Sequence, residues 1–161
     1  MQPSYEVTPI GVIHSPYREG AGAPIQSGQD ETPAEIEIDP RYEDALADLD
    51  RFERVWVLTW LDRAKPCRLK VVPYMDTVER GLFSTRAPSR PNPIGLSVMK
   101  LQAVRGHKLS VSGCDMLDGT PVLDLKPYAP RFDAFPDSAV GWLAERDPRR
   151  YRADQRFEET S

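Results

Sequence analysis

Sixteen prolines in 161 residues set the first limit on this chain. That is about twice the usual frequency of ~5%. Each proline fixes φ and removes a backbone donor, so long helices and unbroken central strands are excluded along most of the length. Short strands joined by shaped loops remain. Residues 6–13 read as a first strand, 15–33 as a long loop rich in Gly, Pro and Ser, and 34–38 as a half-exposed strand by its polar–apolar alternation. Asp39-Pro40 supplies an N-cap and a first-turn proline for a short helix to about Leu49. Residues 54–61 are apolar enough to be buried on both faces, and 68–72 form another candidate strand. Residues 94–104 and 108–112 flank Gly106-His107, a two-residue hairpin turn. Asp118-Gly119 makes a second tight turn before a strand at 122–125. Strands at this spacing predict a mainly β fold, an antiparallel barrel or sandwich. No G-x-G-x-x-G follows a strand, so a dinucleotide-binding parallel sheet is not supported.

The predicted domain is residues 1–136. Residues 137–161 are predicted to add one short helix near residues 140–143 and a charged tail, partly disordered from residue 145. Cys67 and Cys114 are too few for a disulfide framework and lack zinc-ligand spacing, so buried or half-buried free thiols and no metal are expected. No apolar run approaches the ~20 residues of a membrane span, and the first residues lack a basic-then-apolar leader pattern. A cytoplasmic, membrane-free protein is the default expectation.

The net charge of −4 is unevenly placed. Residues 1–62 hold 4 Lys/Arg against 13 Asp/Glu, residues 63–110 hold 10 against 2, and residues 111–161 hold 7 against 10. A basic middle inside an acidic chain suggests an anionic partner there; internal pairing with the acidic parts is the competing reading.

Three segments carry candidate chemistry. In residues 81–95 the prolines at 88, 91 and 93 stiffen a loop bearing Arg86, Arg90 and Asn92. A guanidinium on such a loop can meet a carboxylate or phosphate bidentately. Residues 115–128 place Asp115, Asp118 and Asp124 at turns and strand ends, where carboxylates accept hydrogen bonds from ribose hydroxyls or take up a proton. Asp118 before Gly119 is also an ordinary turn residue. His14 ends a strand, and a lone histidine there is ordinarily structural.

The segments Ile10-Gly11-Val12-Ile13-His14-Ser15-Pro16-Tyr17, Arg90-Pro91-Asn92-Pro93-Ile94-Gly95, Asp118-Gly119-Thr120-Pro121 and Asp124-Leu125-Lys126-Pro127-Tyr128, in this order, resemble the TrmO (TsaA-like) family. The resemblance covers roughly residues 5–135. It implies a single-sheeted antiparallel β-barrel with few short helices, a homodimer, and S-adenosylmethionine as methyl donor. It also implies N6-methylation of threonylcarbamoyl-adenosine 37 in tRNA. By the family's motifs, the cofactor residues are Gln26, Ser27, Gly28, Asp62, Arg63, Arg86, Leu96, Ser112, Gly113, Cys114 and Asp115. Arg90, Asn92 and Lys126 are assigned to the substrate; Asp118 and Asp124 are the candidates for accepting the N6 proton, with water as the alternative. Asp62-Arg63 stands where many members carry His-Gln. Longer members continue into a further C-terminal domain. A small-molecule acceptor, or a sensor that binds the cofactor without turnover, are the alternative functions.

Overall fold

Alternation decides which face of each strand turns inward, and the computed structural model, which describes residues 2–158, follows it strand by strand. The strands are β1 (Gly11–His14), β2 (Pro33–Ile38), β3 (Arg54–Trp60), β4 (Lys70–Val71), β5 (Arg80–Gly81), β6 (Ile94–Arg105), β7 (Lys108–Ser112) and β8 (Pro121–Pro127). Six of them close into one antiparallel barrel in the order β1-β2-β7-β6-β3-β8, with β8 returning to β1. The single-sheeted barrel is the fold the resemblance implied. β4 and β5 pair separately as a two-stranded ribbon.

The barrel interior is filled by Ile13, Ile36, Ile38, Val55, Val57, Met99, Leu109, Val111 and Val122, all essentially inaccessible. A barrel of this size has no lumen to spare, so side chains close it completely. Leu46, from a 3₁₀ helix at Pro40–Leu46, joins the same cluster. Asp39 caps that helix by accepting from the Arg41 N–H, as its position before Pro40 predicts. Truncating a buried residue such as Met99 to alanine costs about 2–5 kcal/mol.

Several expectations change. The first strand begins only at Gly11: Ile10 still donates to Val122 O, but ladder pairing to β2 and β8 starts at Gly11, although β8 runs on to Pro127. β3 is fully buried on one face only; Val55, Val57 and Thr59 point in, while Arg54, Trp56, Leu58 and Trp60 stay half-exposed. The helix to Leu49 breaks into 3₁₀ turns at Pro40–Leu46 and Leu49–Arg51, with Asp48 at φ 65 between them, a conformation aspartate tolerates better than most residues. The 68–72 strand shrinks to Lys70–Val71. Cys67 is exposed, whereas Cys114 is buried.

The tail differs most. The 3₁₀ turn at Gly141–Glu145 fits the short helix expected near residues 140–143. Beyond it, the chain up to Glu158 packs onto the rest of the protein rather than into solvent. Arg152 bridges to Pro24 and Glu158 to Ala64. Phe157 is 5% exposed within a second apolar cluster of Val71, Leu82 and Ala87, where Tyr74 meets it edge-on. Charge was a misleading guide, since the arginines and aspartates of this stretch largely pair with each other while its one phenylalanine is buried.

Candidate functional site

Two segments far apart in sequence meet at the open end of the barrel. The loop after β1 returns as Gln26-Ser27-Gly28 and docks on the turn that leaves β7. Gly28 N–H donates to Gly113 O at 2.9 Å, and Gly113 N–H donates to Thr32 O at 2.9 Å. Gly113 has φ +80, and a Cβ there would lie 3.1 Å from Gly28 backbone atoms. Only glycine allows this approach. The Ser27 hydroxyl accepts from Val98 N–H at 3.0 Å on β6.

This docking half-buries Asp115 and desolvates its carboxylate. The Ser97 hydroxyl donates to its carboxylate at 2.7 Å, and the Ser27 N–H also bonds to it. Burial pushes the Asp115 carboxyl up to about 6, against the opposing effect of the Ser97 and backbone hydrogen bonds and the charge of Arg86. Net desolvation therefore outweighs four favourable contacts. Nearby, Gly95 lets β6 approach β3: a Cβ there would stand 2.3 Å from Thr59 Oγ1.

A cavity of about 320 Å³ opens over this floor. Its volume lies within the usual range for small-ligand sites. Gln26, Asp62, Arg63, Arg86, Arg90, Leu96 and Asp115 line it, so seven of the residues assigned from sequence converge there. Arg86 donates to Gln26 Oε1 at 2.7 Å, joining the proline-rich loop to the long loop. Arg63 donates to the carbonyls of Asp118 (2.6 Å) and Arg18 (3.1 Å), which leaves it more a brace than a free cation. Ile25, Leu61, Leu96, Met116 and Leu117 supply the apolar wall.

The other assigned residues do not line the cavity. Ser27, Gly28, Ser112 and Gly113 build its support. The Cys114 side chain lies in the barrel core, where burial pushes its thiol up to about 12 and keeps it protonated. Asp118 is held by Arg18 and by the Ser15 N–H at 3.1 Å, as a turn-closing carboxylate. Asp124 sits on β8 opposite Leu58 and pairs with Lys126 at 2.9 Å. Neither aspartate faces the cavity, because the Leu117–Thr120 turn directs Asp118 toward Arg18 and the strand register turns Asp124 outward. Asn92 is exposed beside Ile94; Arg90, which does line the cavity, donates to Thr85 O and Ala87 O and so also shapes its own loop.

The sequence reading missed Ser97, and it missed the tail residues Ala153, Phe157 and Glu158, which line the same cavity. Ser97 is an inward polar residue in an apolar strand, a signal that was available. The tail carries no such signal. His14, Glu35 and Glu37 form a ligand-like cluster on the outer face of β1 and β2, but Lys108 already pairs there with both carboxylates.

Residues 12–134 match the model of the tRNA-methyltransferase O N-terminal domain. The chain belongs to this family. Over 139 residues it is 46% identical to a probable S-adenosyl-L-methionine-binding protein of Archaeoglobus fulgidus, covering 86% of this chain and 38% of that protein. It is 34% identical to the Escherichia coli tRNA (adenine(37)-N6)-methyltransferase, covering 86% of this chain and 64% of that enzyme. The crystal structure of TrmO from Pseudomonas aeruginosa superposes with a TM-score of 0.74 at 36% identity, covering 87% of this chain and 63% of that one. This TrmO-family chain thus spans less than two thirds of the length of each of these three relatives. No helix among its described residues is long and apolar enough to cross a membrane.

Proposed function

We propose that this chain is an S-adenosylmethionine-dependent methyltransferase and that its acceptor is the modified adenosine 37 of tRNA. The observation that carries the reading is the convergence of Gln26, Arg86 and Asp115 on one cavity of about 320 Å³. The residues fit the donor's chemistry. Asp115, Asp62 and Glu158 offer negative charge to a sulfonium and an ammonium, Arg86 offers a guanidinium to a carboxylate, and the apolar wall suits an adenine ring. Relatives named for binding this donor, and one named for tRNA methylation, support the assignment.

The bound donor supplies a methyl group already activated by its sulfonium. The protein's part is alignment and exclusion of water. Holding nitrogen, carbon and sulfur in line at near-contact distance is worth ~7–11 kcal/mol in well-oriented cases. Transfer forms an N6–carbon bond, leaves the sulfur–carbon electron pair on sulfur, and releases the N6 proton. Asp118 and Asp124 do not line the cavity, so neither is placed to take that proton.

The chain acts as a dimer in this reading. The outer faces of β3 and β6 present Trp56, Leu58 and Trp60 beside Ile94 and Leu96, which are 44% and 52% exposed, and Leu96 adjoins the cavity. Docking of tRNA uses fewer cations than the +8 segment suggested. Arg80 is held by Asp76 at 2.7 Å, Lys65 donates to tail carbonyls at 3.2 Å, and Arg63 braces the Asp118 turn. Arg68 and Lys70 are exposed and have no side-chain partner among the described residues. The reaction is tested by transfer of labelled methyl to total tRNA, and by mass spectrometry of tRNA nucleosides from cells lacking the protein. Loss of the methylated adenosine is expected. Donor binding without turnover to S-adenosylhomocysteine with any acceptor establishes the sensor reading instead.

A further inference from the structure

A second cavity of about 470 Å³ adjoins the first. The two share Ile25, Gln26, Tyr74, Thr85, Arg86 and Phe157, and the 2.7 Å hydrogen bond from Arg86 to Gln26 forms part of the partition between them. The second cavity is chemically different. Tyr74, Phe83, Trp142 and Phe157 line it together with Arg86 and Arg146, and no carboxylate does. Phe83 is 77% exposed. The Trp142 indole N–H donates to Ser84 O at 2.8 Å, which fixes the ring plane. The Arg80 guanidinium stands 5.5 Å from the Trp142 ring centroid, and that of Arg90 stands 5.5 Å from Phe83. Asp76, outside the cavity lining, anchors Arg80 and stands 3.5 Å from Arg146. The Nε–H of Arg146 is nevertheless buried with no acceptor. An unmet buried donor costs free energy unless a ligand supplies the acceptor.

From these features we infer that the second cavity receives the acceptor base: a purine unstacked from single-stranded RNA, stacked on Phe83 or Trp142, with an RNA oxyanion on Arg146. The inference rests on the methyltransferase reading above and adds where the substrate sits. Aromatic faces with arginines and no carboxylate are the recurring chemistry of single-stranded nucleic-acid sites. A cationic or purely apolar ligand would have no use for two arginines. The base edge then lies toward the Arg86–Gln26 partition, beyond which the donor cavity begins. The oxyanion has two possible sources, a backbone phosphate or the carboxylate of the threonylcarbamoyl group.

The test compares wild type with Trp142→Ala, Trp142→Phe and Arg146→Gln. Binding of an anticodon stem-loop RNA is measured with and without the threonylcarbamoyl group, and S-adenosylmethionine affinity is measured separately by calorimetry. Trp142→Ala is expected to weaken RNA binding roughly tenfold. Donor affinity should stay within about twofold, which also shows that the variant is folded, and Trp142→Phe should restore most of the RNA affinity. Arg146→Gln should lose affinity for both RNAs if the oxyanion is a phosphate, and only for the modified RNA if it is the carboxylate. Unchanged RNA affinity in both Trp142→Ala and Arg146→Gln overturns the assignment, as does a parallel loss of donor affinity, which would place the second cavity in the donor site. If wild type binds no RNA, the tRNA reading fails by itself. Quenching of Trp142 fluorescence by threonylcarbamoyl-adenosine, absent in Trp142→Phe, then still supports a nucleoside cavity, and no quenching removes it.

Discussion

The two cavities share a wall but differ in charge: three carboxylates and three arginines line the first, two arginines and no carboxylate the second. The first sits on the barrel end, where strand register positions Gly95, Ser97 and Leu96 and a β7 turn positions Asp115. It carries three carboxylates, Asp62, Asp115 and Glu158. The second is assembled from 3₁₀ turns, the proline-rich loop and the returning tail, and its lining carries arginines and aromatic rings without a carboxylate. The mixed charges of the first suit a donor that carries both a sulfonium and a carboxylate, and the arginines of the second suit an anionic acceptor, with Arg86 and Gln26 common to both. Barrel strand β6 supplies part of the first cavity's floor at Ile94, Gly95 and Leu96. The second depends on the small cluster around Phe157, so its integrity is separable from that of the barrel.

The largest expected effect tests that separability. Phe157→Ala removes a side chain that lines both cavities and is 5% exposed. Large-to-small changes of a buried phenylalanine cost about 3–5 kcal/mol. Hydrogen exchange is expected to show the loss in the tail and at residues 71–87, with the barrel amides protected as in wild type. Uniform loss of protection would mean that the tail and barrel unfold as one unit. Next, with its guanidinium on the donor's carboxylate as proposed, Arg86→Ala should weaken donor binding by roughly 1.5–3 kcal/mol, and should also weaken RNA binding. Unchanged donor affinity in calorimetry would remove Arg86 from the first cavity.

Asp115 gives the two sides of the comparison a pH signature. Its carboxyl is raised to about 6 from an unfolded value of 3.8. The folded chain therefore holds this proton more tightly than the unfolded chain. Its contribution to stability is full below pH 4 and lost as pH rises through about 6, an effect on the order of 2–3 kcal/mol. Binding of a cationic donor runs the other way and should strengthen by about tenfold from pH 5 to 7, as the carboxylate ionises. Asp115→Asn should flatten both profiles, measured as differences from wild type; RNA binding should keep its own pH dependence. The smallest effect concerns the exposed cations. Neutralising Arg68 or Lys70 should reduce the salt slope of RNA binding by ~0.7 each, without changing donor affinity. An unchanged slope would move the phosphate path elsewhere.

Much of the barrel was legible locally. The Gly106-His107 turn, the alternation of β2 and the Asp39-Pro40 helix start all depend on residues within a few positions of one another, and each stands where the pattern puts it. The cavity was legible only through motifs, since Gln26, Arg86 and Asp115 lie in separate segments. Asp118 and Asp124 illustrate the limit. A carboxylate beside a glycine turn reads alike whether it closes the turn or faces a ligand, and only the Arg18 and Ser15 contacts decide for Asp118. The sequence alone determined the six barrel strands, the turns and the stiff arginine-bearing loop, because these follow from φ restrictions and side-chain period. Tertiary structure decided which face of β3 is covered, that Asp115 is desolvated, and that a charged tail folds back to line two cavities. Those outcomes depend on which distant surfaces exclude water from one another, and no local pattern encodes that.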